Sequence, residues 1–73
     1  MSKLSDRLQS ERTRRKKTKR QFGDFMGVTE GQYGRYERGE QEPTVSKLEN
    51  LADALGVSLD YLAGRTENPN VNE

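Results

Sequence analysis

Apolar residues are sparse along this chain and fall in short clusters at helical spacing. Leu4 and Leu8 stand four apart and open an amphipathic helix read from Lys3 to Arg15. Its stripe is thin and continues only to the position of Arg12. Arg14–Lys17 then forms a polar link. Thr18 is an N-cap, with Gln21 three residues later completing a capping box, and Phe22, Phe25 and Met26 follow at helical spacing. Gly27 stops that helix after about eight residues. The turn Gly27-Val28-Thr29 leads to a second cap, Thr29, and a helix from about Glu30 to Arg38 that carries Tyr33, Tyr36 and Glu37 on one side. Gly39 ends it. After the loop at 40–43, Thr44 caps the clearest stripe, Val45, Leu48, Leu51, Ala52 and Leu55, which Gly56 closes. Ser58 caps a last short helix with Leu59, Tyr61 and Leu62, ending at Gly64. No segment alternates with strand period, and no repeat is visible.

This pattern predicts an all-α fold, a compact bundle of five short helices over residues 1–64, with a disordered tail over 65–73. The expected core is Leu4, Leu8, Phe22, Phe25 or Met26, Val28, Tyr33, Tyr36, Leu48, Leu51, Ala52, Leu55, Val57 and Leu62. Two short helices joined by a tight glycine-containing turn form a helix-turn-helix.

Composition narrows the function. The 73 residues suit one domain, and 29% are hydrophobic, which is low. There is no cysteine and no histidine, which removes disulfides, thiolate chemistry, the usual general base and the commonest metal ligand. With no glycine-rich phosphate loop and no plausible acid pair, nothing is left to carry catalysis, and neither a metal nor a cofactor is expected. No apolar run suits a membrane span or a signal peptide, so a cytoplasmic protein is expected.

The net charge of +1 hides a dipolar chain. Residues 1–39 hold 11 basic and 5 acidic side chains, whereas residues 40–73 hold 2 basic and 7 acidic ones. Seven of the nine residues from Arg12 to Arg20 are Lys or Arg. Such a block attracts a polyanion through charge and counterion release, while the plainer reading is a solvated helix face. Residues 9–21 contain no apolar residue to insert into a membrane surface. No aromatic platform accompanies the block, which argues against RNA, and its likeness to a nuclear-localisation tract is context-free.

From Thr18 to Leu62 the chain resembles the phage-repressor type of helix-turn-helix, the Cro and lambda-repressor-like family. The marks are Gly27-Val28-Thr29, the run Arg35-Tyr36-Glu37-Arg38-Gly39, Glu42-Pro43-Thr44, and the run from Leu51 to Leu62. Leu4, Arg7, Leu8 and Arg12 extend the likeness into the first helix. The resemblance implies sequence-specific binding of duplex DNA, usually as a symmetric dimer on a palindromic operator, by a transcriptional regulator, most often a repressor, in a bacterial or phage-infected cell at the nucleoid. Helix 30–38 would be the recognition helix in the major groove. Thr29, Glu30, Gly31, Gln32 and Arg35 fall where such proteins read bases. Gln32 suits adenine, Arg35 guanine and Glu30 the cytosine N4 amine. Thr18, Lys19, Arg20 and Arg38 fall at phosphate positions, with Arg14, Arg15 and Lys17 of the basic block as further phosphate candidates. Arg12 and Glu37 match a structural ion pair. Leu59 and Tyr61 are the candidates for a small dimer interface, weak in solution and strengthened on DNA.

The chain departs from the family at several places. Glu11 stands where an apolar residue is usual, and Lys16-Lys17 where Gly and an apolar residue are, so the first helix is expected to be less well anchored and its following link mobile. Gly23 and Tyr33 replace Ala and a β-branched residue, a pairing read as a volume swap in which the glycine makes room for the ring. Gly31 and Gly34 interrupt the recognition helix, each at about 1 kcal/mol against alanine. The acidic loop 40–42 replaces basic phosphate contacts. These departures keep a second reading in view: a protein-interaction module on the same fold, an antitoxin or antirepressor-like partner whose DNA binding is secondary.

Overall fold

The computed structural model describes residues 3–70. Residues 1–2 of the expected domain and 71–73 of the expected tail lie outside the described residues. The chain forms α1 (Lys3–Arg14), α2 (Lys19–Met26), α3 (Glu30–Glu37), α4 (Val45–Leu55) and α5 (Leu59–Leu62), with no strand among the described residues. Helix α2 packs on α3 and α4, α1 on α3 and α5, and α4 on α5.

Local chemistry places the helix ends. Thr18, Thr29, Thr44 and Ser58 all have extended backbones, and each side-chain oxygen accepts the N–H of the residue three further on. Thr18 and Gln21 complete a reciprocal capping box. At the other end, all five helices close alike. One N–H reaches back five residues and the preceding one reaches back three, as in Lys17 to Arg12 and Lys16 to Thr13, or Val28 to Gly23 and Gly27 to Asp24. This Schellman closure needs a left-handed residue at its pivot. Glycine supplies it after α2, α3, α4 and α5, and Lys16, at φ 58°, supplies it after α1.

Lys16 is therefore a side chain in a conformation that costs an L-residue roughly 1–2 kcal/mol. Lys16→Gly is expected to stabilise the fold by about 0.5–1 kcal/mol, after the extra chain entropy of glycine, and to raise the melting temperature by about 2–8 °C. A thermal melt followed by circular dichroism checks it, and an unchanged or lower midpoint would show that the lysine is unstrained there.

The core is Leu8, Phe22, Met26, Tyr33, Tyr36, Leu48, Leu51, Ala52, Val57 and Leu62, with Leu4, Val28, Leu55, Leu59 and Tyr61 packed against it. Of the pair left open by spacing, Met26 is fully buried and Phe25 is on the surface at 36% exposure. The Tyr33 ring meets Phe22 edge-on, with centroids 5.7 Å apart.

Three expectations are corrected. Gly23 does not make room for the Tyr33 ring: a Cβ there would lie 3.1 Å from the Val28 carbonyl oxygen and 3.2 Å from that of Thr29. It is the backbone of the turn that approaches α2. Second, α1 is well anchored, because Glu11 is buried as a network rather than exposed as a misfit. Its carboxylate, 2% exposed, accepts from Arg14, Arg15 and the Tyr61 hydroxyl, 50 residues away in sequence. Third, the link after α1 is tied, with Arg12 Nη1 donating to the Lys17 carbonyl and Arg15 Nη2 to that of Leu55.

Residues 65–70 carry no helix but fold back on the body. The Ser58 N–H donates to the Pro69 carbonyl at 2.9 Å, and Glu67 lies 3.6 Å from Arg7. Among the described residues, no buried side-chain nitrogen or oxygen lacks a partner, and no helix is long and apolar enough to cross a membrane.

Candidate nucleic-acid interface

Helix α3 divides cleanly into two faces. Tyr33, Gly34 and Tyr36 are buried, while Thr29, Glu30, Gly31 and Arg35 are exposed and Gln32 lies half-buried at the border. The helix has weak intrinsic propensity because of its two glycines, so its caps and its buried tyrosines hold it. The glycines differ in surroundings. A Cβ at Gly31 would meet open space, whereas one at Gly34 would lie 3.0 Å from the Arg38 guanidinium. The neighbour of Gly34 is the end of a flexible surface side chain, so no rigid packing demands either glycine.

The five base-reading candidates form one surface across the first turns of α3. Thr29 is occupied as a cap. Gln32 Nε2 donates to the Tyr36 hydroxyl at 3.0 Å, which leaves its carbonyl oxygen and one N–H for another partner. Arg35 is exposed, and its charge reaches Glu40.

Arg12 and Glu37 meet in a two-pronged salt bridge, with Nε and Nη2 at 2.8 and 2.9 Å from the two carboxylate oxygens. The Tyr33 hydroxyl donates to the same carboxylate at 2.7 Å. Burial pushes the Glu37 carboxyl up, but the bonds from Arg12 and Tyr33, the Arg12 charge and the charge of Lys19 outweigh it and hold it below the ordinary range. Burial, and then Glu37, pushes the Tyr33 hydroxyl up, so it stays a donor at any working pH. This cluster draws α1, the Lys17 carbonyl, the start of α2 and the end of α3 together. Of the phosphate candidates it gathers Lys17 and Lys19, with Arg38 adjacent in sequence to Glu37. Thr18 and Arg20 flank them and are exposed. The Thr18 oxygen caps α2 as an acceptor, so its O–H proton remains to be donated.

Arg14 and Arg15 belong elsewhere. Glu11 engages both, and Arg15 also reaches the Leu55 carbonyl and so ties α1 to the end of α4, while Arg14 stays largely exposed. Sequence spacing marks Glu11 as a departure but not as the centre of this network, since its Tyr61 partner lies 50 residues away. Arg38 is paired with Glu40 at 2.9 Å. Of the two interface candidates, Tyr61 is committed to α1: Arg7 sits over its ring at 4.1 Å and Glu11 takes its hydroxyl. Leu59 stays half-buried on the rim of a shallow hollow between α4 and α5, beside Val57 and Asp60.

A tightly turned helix pair that presents one polar helix face beside clustered lysines and arginines defines a helix-turn-helix domain, and the chain belongs to that family, which matches residues 8–62. Among its relatives is the cryptic phage CTXphi transcriptional repressor RstR of Vibrio cholerae. The two are 41% identical over 63 residues, covering 86% of this chain and 56% of that protein. The SPbeta prophage-derived uncharacterized HTH-type transcriptional regulator YonR of Bacillus subtilis is 40% identical over 59 residues, covering 81% of this chain and 55% of YonR. The uncharacterized HTH-type regulator YqaE of the same organism is 37% identical over 68 residues, covering 93% and 59%. The chain thus spans a little over half the length of these relatives. No solved structure matches it. The family is one of regulator domains and not of enzymes.

Proposed function

We propose that this chain binds duplex DNA sequence-specifically as a transcriptional regulator in the cytoplasm, most simply a repressor on a palindromic operator. The observation that carries the reading is the exposed face of α3, with Glu30, Gly31, Gln32 and Arg35 side by side, next to the basic cluster at the start of α2. Inserted in a major groove, that face puts Gln32 and Arg35 at base edges, while Thr18, Lys19, Arg20 and Lys17 meet phosphates. The names of the repressor and regulator relatives support the same reading. Pairing of two copies on the operator is proposed through α5 around Leu59, with Tyr61 in a supporting role within each copy.

Selection of binders from random duplexes, followed by sequencing, tests this directly. The expected result is a palindromic motif with half-sites about one helical turn apart, and titration of that motif over a salt series is expected to give a log–log slope of about −7 for eight phosphate contacts. Arg35→Ala is expected to relax preference at one position of each half-site, at about 1–3 kcal/mol, whereas Lys19→Ala weakens all sequences alike. Equal weakening by both would deny Arg35 a base contact. No enrichment, together with capture of a specific protein partner, would move the interaction-module reading to first place. The pairing of Arg38 with an acid in the loop favours that second reading.

A further inference from the structure

The closure of α3 sets an acid beside the helix end. Gly39 turns left-handed, and the Glu40 N–H bonds back to the Arg35 carbonyl at 2.9 Å. An acid beside the negative end of a helix is unfavourably placed by the dipole alone. Its partner is Arg38, whose Nε and Nη2 donate to the two Glu40 oxygens at 2.9 and 3.2 Å. In this position the guanidinium lies against Gly34 of α3. A Cβ at residue 34 would stand 3.0 Å from Arg38 Nη1. Arg38 is thus folded along its own helix, with its fork already filled by a carboxylate. Both side chains remain about half exposed, so a competing anion can reach them.

We infer that Glu40 is a latch on Arg38: it occupies the guanidinium that a DNA phosphate would take, and so sets how tightly the chain grips a duplex. The inference rests on the DNA-binding reading above. A guanidinium bonded through two N–H groups to a carboxylate cannot offer the same fork to a phosphate. A duplex must displace Glu40 to gain the contact, and then holds its own charge beside the released carboxylate. The effect is independent of sequence, because phosphates carry no base information.

Binding of the full chain to a mixed-sequence duplex, followed by fluorescence anisotropy over a salt series, tests the latch with four proteins: the parent, Glu40→Gln, Arg38→Ala and the double variant. Exposed sites are chosen, and thermal melts verify folding. Glu40→Gln is expected to bind about three- to tenfold tighter near 0.1 M salt, with a slope steeper by about 0.9. In the Arg38→Ala background the same change is expected to do little. An equal gain in both backgrounds overturns the latch, since Glu40 would then act only by repelling phosphate. No gain from Glu40→Gln in a parent that binds DNA also overturns it and leaves the DNA-binding reading standing. Failure of all four proteins to bind duplex even at low salt overturns that reading and the latch together.

Discussion

Glu37→Ala is expected to destabilise the fold by about 3 kcal/mol, a fall of roughly 12–24 °C in melting temperature. The Glu37 carboxylate is the single acceptor on which Arg12 and Tyr33 converge, and its side chain is only 6% exposed. Its removal leaves the Arg12 guanidinium without its main partner and the buried Tyr33 hydroxyl without an acceptor, a penalty larger than the net worth of the pair. Acid adds a second signature. Glu11 resembles Glu37: burial pushes its carboxyl up, but bonds from Arg14, Tyr61 and Arg15 outweigh it and hold it below the ordinary value of 4.5. Carboxyls lowered by folding bind protons less well in the folded chain than in the unfolded one. Their stabilisation is full above about pH 4.5 and is lost as pH falls through the lowered values. The parent is therefore expected to lose stability in that acid window, and Glu37→Ala to lose less because one of the buried, lowered carboxyls is gone. Thermal melts of both proteins from neutral to acid pH measure it. Equal acid losses in both would mean that Glu37 gains nothing from its charge.

Gly23→Leu is expected to remove about 3 kcal/mol or more, close to the whole stability of a domain this small. The side chain would have to enter where a Cβ alone would already stand 3.1–3.2 Å from the Val28 and Thr29 carbonyl oxygens. Those atoms are backbone, pinned by the Val28-to-Gly23 hydrogen bond and by the Thr29 cap, so they cannot swing aside as a side chain would. Gly23→Ala is a useful control. Its gain of about 1 kcal/mol in helix propensity opposes the crowding, so its melt is expected within a few degrees of the parent. A leucine variant that melts like the parent would show that the turn yields, and with it the spacing of α2 and α3.

Features governed by one residue and its near neighbours were legible in the sequence. Thr18, Thr29, Thr44 and Ser58 cap because a short side-chain oxygen reaches an N–H three residues on, whatever the tertiary fold. Gly27 and Gly56 end helices for an equally local reason. What stayed hidden depends on residues far apart. Glu11 looked like a misfit because its partner Tyr61 sits on α5, and Arg14 and Arg15 looked like free cations because their acid lay on their own helix's inner side. Spacing pairs Gly23 with a ring rather than with the turn backbone, since it shows which residues are small but not which atoms come near them. The choice between Phe25 and Met26 was likewise unresolvable from period alone, because both fall on the same half of α2. On the α3 surface the candidate readers were legible as a row. The bond from Gln32 to Tyr36 and the pairing of Arg38 with Glu40 were not, since each depends on a rotamer.

The Gln32–Tyr36 bond bears on discrimination. A free glutamine side chain samples many rotamers, and freezing one at an interface costs about 0.5–1.5 kcal/mol. Here that freezing happens when the domain folds, with a buried tyrosine as the anchor. Whatever surface meets α3 finds the amide already aimed, so less affinity is lost to ordering it. Under the DNA-binding reading proposed above, a groove edge with the wrong donors and acceptors would have to break this bond before the amide could turn to meet it.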